Sequence, residues 1–159
     1  MNPALRKVLD DSDDPEGCEV PGDNWAAFPY DELAASVGSI QETLRNELNL
    51  PFDRDGYVQD ASFHDELRQL HPDSFRANGV VVLTPEIAVR FSNFGRLYTI
   101  YSAVPDTLTH YPLDRIRAVV ELRGWRYVPA DELGEIYDGK NRAFNDGRTT
   151  WWIRFFDYL

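Results

Sequence analysis

The stretch GVVVLTPEIAVRFSNFGRLYTIYSA, residues Gly79–Ala103, is crowded with β-branched and aromatic residues and contains two turn signals. The first turn lies at Thr84–Glu86, and the second lies at Ser92–Arg96, where Gly95 can adopt a positive φ. This pattern predicts a three-stranded antiparallel meander at the centre of a sheet. The predicted strands are Val80–Leu83, Ile87–Phe91 and Leu97–Ser102.

Alternation along the second predicted strand assigns its side chains to two faces. Ile87, Val89 and Phe91 fall on one face, and Arg90 falls on the other. The third strand carries large side chains on both faces, so that neither face is fully polar. Its two sets are Leu97, Thr99 and Tyr101 on one side, and Tyr98, Ile100 and Ser102 on the other.

Two segments outside the meander have the apolar spacing of amphipathic helices. In Tyr30–Leu48, apolar residues recur every three or four positions, acids occupy the first turn, and Pro51 follows the last turn. Residues 112–123 show the same spacing and precede Gly124, a residue typical of helix C-termini. Both segments are predicted to be helices that face the core.

Two other segments leave a choice between helix and strand. After a predicted turn at Asp53–Gly56, residues 61–70 place apolar residues at helical spacing, and we predict a short helix with a strand as the alternative. Residues 149–159 combine a helical apolar face with a composition that favours strands. We predict a helix here, with Thr149 or Thr150 as its N-cap.

The chain of 159 residues is long enough for one domain with a substantial core. The predicted fold is therefore α+β, with an antiparallel sheet of about four strands centred on residues 79–103. Helices near residues 30–48, 61–70 and 112–123 and the C-terminal segment flank this sheet. Residues 24–159 form the predicted domain. Residues 1–23 are rich in acids and poor in apolar side chains, which predicts a flexible arm.

Charge restricts the classes of partner. The formal net charge of −11 repels both nucleic acid and anionic membranes, so that neither is expected as a partner. The sequence contains a single cysteine, Cys18, and no apolar leader at its start, which predicts a cytoplasmic protein.

No catalytic, metal or cofactor site is predicted. The three histidines, His64, His71 and His110, have no metal-ligand spacing, and the acidic neighbours of Cys18 disfavour a reactive thiolate. The segment Asp53–Asp60 resembles a calcium loop only in composition, because the ligand positions around its glycine do not match.

A protein partner is the better hypothesis. Arginine, tryptophan and tyrosine dominate binding hot spots, and the second half of the chain is rich in them. The candidate partner-binding residues are Arg90, Arg96, Tyr98, Trp125, Tyr127 and Trp151, and Tyr101 and Trp152 belong to the same predicted set of exposed aromatics.

The composition thus indicates a monomeric or homodimeric module that neutralises a basic protein, in the manner of bacterial toxin-immunity proteins. Two other classes stay open. A small enzyme or small-ligand domain would use His64 or His110 with nearby acids between the sheet and the helices. A structural subunit of a homo-oligomer would bury a large apolar surface against its own copies.

Overall fold

The β-rich stretch supplies the two central strands of a five-stranded mixed sheet. The computed structural model describes residues 1–13, 15, 30–56, 65–72, 75–77, 80–82, 84–92 and 95–157, with the backbone alone for 75–77 and 80–82. The fold is a single α+β domain, as predicted. Its helices are α1 (Pro3–Ser12), α2 (Tyr30–Leu48), α3 (Leu113–Glu121) and α4 (Trp151–Phe156). Its strands are β1 (Asp53–Gly56), β2 (Asp65–Leu70), β3 (Phe75–Ala77), β4 (Val80–Val82), β5 (Pro85–Phe91), β6 (Leu97–Tyr101) and β7 (Arg126–Tyr127).

The strand order is β1-β2-β5-β6-β7, antiparallel except for the β6–β7 pair. The predicted meander is right for β5 and β6, and Gly95 has the expected positive φ of 66°. The first predicted strand is present as β4 but does not join the meander, because it pairs with β3 in a separate two-stranded sheet. Both sides of β5 are already occupied by β2 and β6, so β4 has no open edge of β5 to pair with.

The predicted helix over residues 61–70 is wrong for the part that the structure describes. Residues 65–70 form strand β2, and the predicted turn at Asp53–Gly56 forms strand β1 beside it. Pairing with β1 on one side and β5 on the other overrides the helical spacing of two leucines. Residues 61–64 lie outside the described residues.

Each face of the sheet packs against its own helices. The first face packs against α2 and α3, and its buried core includes Val37, Ile40, Leu44, Leu67, Ile87, Val89, Phe91, Tyr98, Ile100, Ile116 and Val120. The second face packs against α1 and α4 near β6, and this smaller core includes Leu5, Leu9, Leu97, Val128, Leu133, Tyr137, Trp151, Phe155 and Phe156. The faces predicted for β5 agree with this division.

Helix α1 corrects the prediction of a flexible arm, as far as the structure describes that segment. Leu5 and Leu9 are one helical turn apart and are buried in the second core. Asn2 caps the helix, since its side-chain oxygen accepts a hydrogen bond from Leu5 N–H at 2.9 Å. The two buried leucines and the cap thus show that this acidic segment is a docked helix. Residues 14 and 16–23 lie outside the description.

A buried ion pair fastens the end of α1 to the C-terminal helix. Arg154 Nε donates to Asp13 Oδ1 at 3.0 Å, and neither side chain is exposed. The other carboxylate oxygen of Asp13 accepts from the Tyr137 hydroxyl and, at 2.9 Å, from Lys140 N–H. This buried carboxylate therefore has three donors.

The remaining helices follow their local signals. Gly124, just beyond α3, has a φ of 82°, and Thr150 caps α4 by accepting from Ile153 N–H at 3.2 Å. The predicted C-terminal helix is thus confirmed, with Thr150 rather than Thr149 as N-cap. Within the described ranges, no helix is long and apolar enough to span a membrane.

We expect Asp13→Asn to destabilise the fold by about 3–5 kcal/mol, because the buried guanidinium of Arg154 would lose the carboxylate that it pairs with. Chemical denaturation measures this change. Asp11→Asn is the matched control, since Asp11 forms an exposed ion pair with Lys7 on the same helix. Equal, small losses for both variants would contradict a structural role for the buried pair.

A second prediction concerns the close approach of the loop at Gly139. A Cβ atom at this position would lie 2.5 Å from Tyr137 Cε2 and 2.7 Å from Asp13 Oδ2. We expect Gly139→Ala to cost about 1–3 kcal/mol by overpacking. Gly134→Ala is the control, because a Cβ atom there would meet nothing within 4 Å. Similar melting temperatures for the two variants would show that Asp13 is not held as described.

Candidate functional site

Three of the six predicted partner-binding residues lie in the core instead. Tyr98 is 0%, Trp125 2% and Trp151 1% exposed. The indole of Trp125 packs edge-on against Phe91 and its Nε1 donates to Ser36 Oγ at 3.1 Å. The prediction that these aromatics are exposed was wrong, because both faces of the sheet are covered where they lie.

Two other predicted residues lie partly at the surface and have partners within the chain. Arg96 adopts a positive φ of 50° after Gly95 and forms an ion pair with Glu32 at the start of α2. Tyr127 is half-buried, and the Arg117 guanidinium lies over its ring, 4.4 Å from the ring centroid. Both residues therefore connect elements of the fold.

The sixth residue, Arg90, belongs to a group of charged and aromatic side chains on the second face of the sheet. This group has members from five elements: β1, β2, β5, β6 and α4. We call it the charged sheet face, and its residues are Asp55, Glu66, Arg68, Arg90, Tyr101 and Trp152.

Glu66 is the centre of the charged sheet face. It is 2% exposed, and its Oε2 accepts a hydrogen bond from the Tyr101 hydroxyl at 2.7 Å. Arg90 Nε lies 3.0 Å from the same oxygen, as an ion pair without hydrogen-bond geometry. Arg68 lies 3.7 Å from Glu66 Oε1 and reaches Asp55 at 2.6 Å. In order of contact, the charges therefore alternate as Asp55, Arg68, Glu66 and Arg90 over strands β1, β2 and β5.

The strand register explains why these side chains meet. In antiparallel pairs, directly opposed residues project from the same face. Asp55 stands opposite Glu66, and Glu66 stands opposite Arg90. Because Leu67 and Val89 project into the first core, their charged neighbours must project from the second face.

The ring of Trp152 lies at the border of the charged sheet face, beside Tyr101 and Arg90. This ring meets Tyr101 edge-on with the centroids 5.3 Å apart, and Arg90 lies 5.8 Å from its centroid. Trp152 is half-buried and also packs against the second core. The structure therefore brings together Arg90 with Tyr101 and Trp152, two of the three predicted aromatics that keep some access to solvent; the third, Tyr127, lies beside α3.

Burial changes the acidity of several groups. Burial, together with the negative charge of Glu66, raises the pKa of Tyr101 well above its usual range. On the other face of β2, burial raises the pKa of Asp65, although Arg54 Nε donates to it at 2.8 Å and opposes the shift. Burial and the hydrogen bond to Asp13 raise the pKa of Tyr137 to about 12.

Two grooves lie elsewhere on the described surface. One, of about 490 Å³, is lined by the segment that leads into α3, including Leu108, Tyr111 and Arg115. The other, of about 410 Å³, lies beside Leu122 near the end of α3. His110 is exposed next to the first groove, and His64 lies outside the described residues. Among the described residues, no three His, Cys, Asp or Glu side chains are placed to hold a metal ion.

Sequence reasoning missed Glu66 and Arg68. Their signal was the alternation of charged and apolar residues at Glu66–Leu67–Arg68, which the helical interpretation of residues 61–70 concealed. With a strand in that place, Glu66 and Arg68 share the face that carries Arg90.

No family model matches the sequence, and neither the curated proteins nor the solved structures contain a significant match.

The raised pKa values predict a loss of stability at high pH. A tyrosine whose pKa is raised by folding stabilises the fold fully below its unfolded pKa of about 10 and loses this contribution as pH rises through the folded value. For Tyr137 the window is pH 10 to about 12. We expect the free energy of unfolding to fall across it, and Tyr137→Phe to reduce that fall.

An absorbance titration of tyrosine ionisation, with denaturant unfolding at each pH, measures both effects. Tyr101→Phe should remove a second late-titrating group. Ionisation of all eight tyrosines near pH 10 in the folded protein would contradict the burial of these hydroxyls.

Proposed function

We propose that the protein is a binding module for a basic protein partner. The observation that carries this proposal is the net charge of −11 on a small α+β domain. Such a charge steers a basic partner towards the surface and raises the association rate. An inhibitor or immunity-type role, in which binding neutralises the partner, is the form of this function that we favour.

The acids that support this proposal most directly lie around α2 and β1. Gln41 Nε2 donates to the carbonyl oxygen of Phe52 at 2.8 Å, so the second half of α2 lies beside the start of β1. Glu42, Glu47 and Asp53 are exposed there and form no ion pair with any residue in the described ranges. Their charges are therefore available to a partner.

The charged sheet face, which Asp53 adjoins, offers a second set of contacts to the partner. Charge alone sets the encounter rate, whereas a bound complex is held by aromatic and arginine side chains that lose water on binding. Trp152 is half-buried beside Arg90, and the exposed part of its ring can provide such an anchor. Asp53 projects from the same face of the sheet as Trp152, whereas Glu42 and Glu47 lie on α2, which packs against the opposite face.

We further propose a cytoplasmic location and a monomer or homodimer. The single cysteine supports the location, since secreted domains of this size commonly depend on disulfides. The competing function is a small-ligand site in the groove of about 490 Å³, whose volume falls within the range of ligand pockets. Tyr111 and Arg115 would supply its polar contacts.

The test compares two charge variants as bait in affinity capture from a bacterial extract at low salt. The first carries Glu42→Gln, Glu47→Gln and Asp53→Asn. The second carries the same change in charge at a different surface, with Asp106→Asn, Asp114→Asn and Asp131→Asn. We expect the natural sequence and the second variant to retain one identified protein with a basic isoelectric point, and the first variant to lose it.

Equal retention by both variants would refute the α2–β1 surface as the site. A captured partner with an acidic isoelectric point would refute the proposed function itself. So would a small molecule that binds in the groove of the purified protein when no protein partner is captured.

A further inference from the structure

Strand β1 is the outermost strand of the sheet among those that the structure describes, and it pairs there with β2 alone. We propose that β1 accepts an extended basic segment of the partner as an added strand, in the mode of β-strand addition. This inference rests on the proposed function and specifies how the partner is held.

The register of β1 places its two aspartates on the charged sheet face. Asp53 stands opposite Arg68, and Asp55 stands opposite Glu66. Arg54 projects from the other face, where its guanidinium binds Asp65 and the carbonyl oxygen of Ala34 in α2. An added strand therefore meets two acidic side chains at alternate positions on one face.

These two aspartates differ in how fully they are neutralised. Asp55 is half-exposed and shares its charge with Arg68 at 2.6 Å. Asp53 is exposed and forms no ion pair with a residue that the structure describes. A partner strand with Lys or Arg at every second position would place a cation opposite each of them.

The same charges reject a second copy of the chain. Two β1 strands related by a two-fold axis perpendicular to the sheet keep their faces aligned. In a register centred on Asp53, Arg54 or Asp55, the central residue faces its own copy, so that two like charges are directly opposed. Directly opposed like charges are destabilising. The edge is therefore protected against self-association and selective for cations.

The opposite edge of the sheet does not offer the same surface. Strand β7 has two residues and runs parallel to β6. The side chain of Arg126 in β7 is basic and donates to Ser12 Oγ at 2.9 Å, beside α1. Length and charge both favour β1 as the edge for a basic segment.

Two synthetic peptides of about ten residues test the proposal. The first alternates Lys and Thr, and the second has the same composition with all lysines in one block, so that only the pattern differs. We expect the full-length protein to bind the alternating peptide about tenfold more tightly than the block peptide. Binding should also slow amide hydrogen exchange in β1, as measured by NMR.

Asp53→Lys is the decisive variant, because Asp53 has no described ion pair to lose. We expect it to lose the preference for the alternating Lys-Thr peptide and to bind a Glu-Thr peptide of the same pattern instead. Asp106→Asn is the control and should bind as the natural sequence does. Circular dichroism confirms that each variant is folded.

Equal affinity for the alternating and block peptides, or exchange protection outside β1, would overturn strand addition. The proposed function is judged separately. If a basic partner is captured but neither peptide protects β1, binding to a basic partner stands and strand addition falls. If the alternating peptide binds β1 but no basic partner is captured, strand addition stands as a property of the edge and the proposed function falls.

Discussion

The buried ion pair between Asp13 and Arg154 is the constraint on which the rest of the second sheet face depends. It joins residues 141 positions apart and fixes α1 against α4 over the end of the sheet that carries β6 and β7. A buried carboxylate is stable only when its acceptors are satisfied, and here the guanidinium, a hydroxyl and a backbone N–H satisfy them. The glycine at 139 allows this approach, because any side chain there would collide with Tyr137 and Asp13.

The two halves of the second face differ in chemistry as a consequence. Near β6 the face is apolar and covered by α1 and α4, whereas towards β1 it carries acids and arginines that pair with one another. Glu66 is buried within that network, and Asp53 is exposed at its border. Trp152 stands at the boundary, with one side against Tyr101 and some of its surface open. The proposed binding function uses this arrangement, in which the paired charges of the sheet lie beside the ring of Trp152.

The sequence predicted those elements whose signals are local. The alternation in β5, the apolar spacing of α2 and α3, the glycine after α3 and the threonine cap of α4 each depend on neighbours a few residues apart. The failures have a common physical cause. Strand β2 is determined by its partners on both sides, the docking of α1 depends on a charge 141 residues away, and Tyr98 and Trp125 are buried because helices cover their face. Of the predicted partner-binding residues, only Arg90 lies in the assembled site, since exposure is decided by packing that no local pattern records.

The central claim is that exposed carboxylates beside β1 attract a basic partner. Its most direct test is the association rate constant with the captured partner, measured by stopped flow over a range of salt concentrations. The account predicts that this rate falls by about tenfold or more from low salt to about 0.5 M salt, and that neutralising Glu42, Glu47 and Asp53 removes most of the dependence. An association rate that is independent of salt, or a salt dependence that survives these substitutions unchanged, would contradict it.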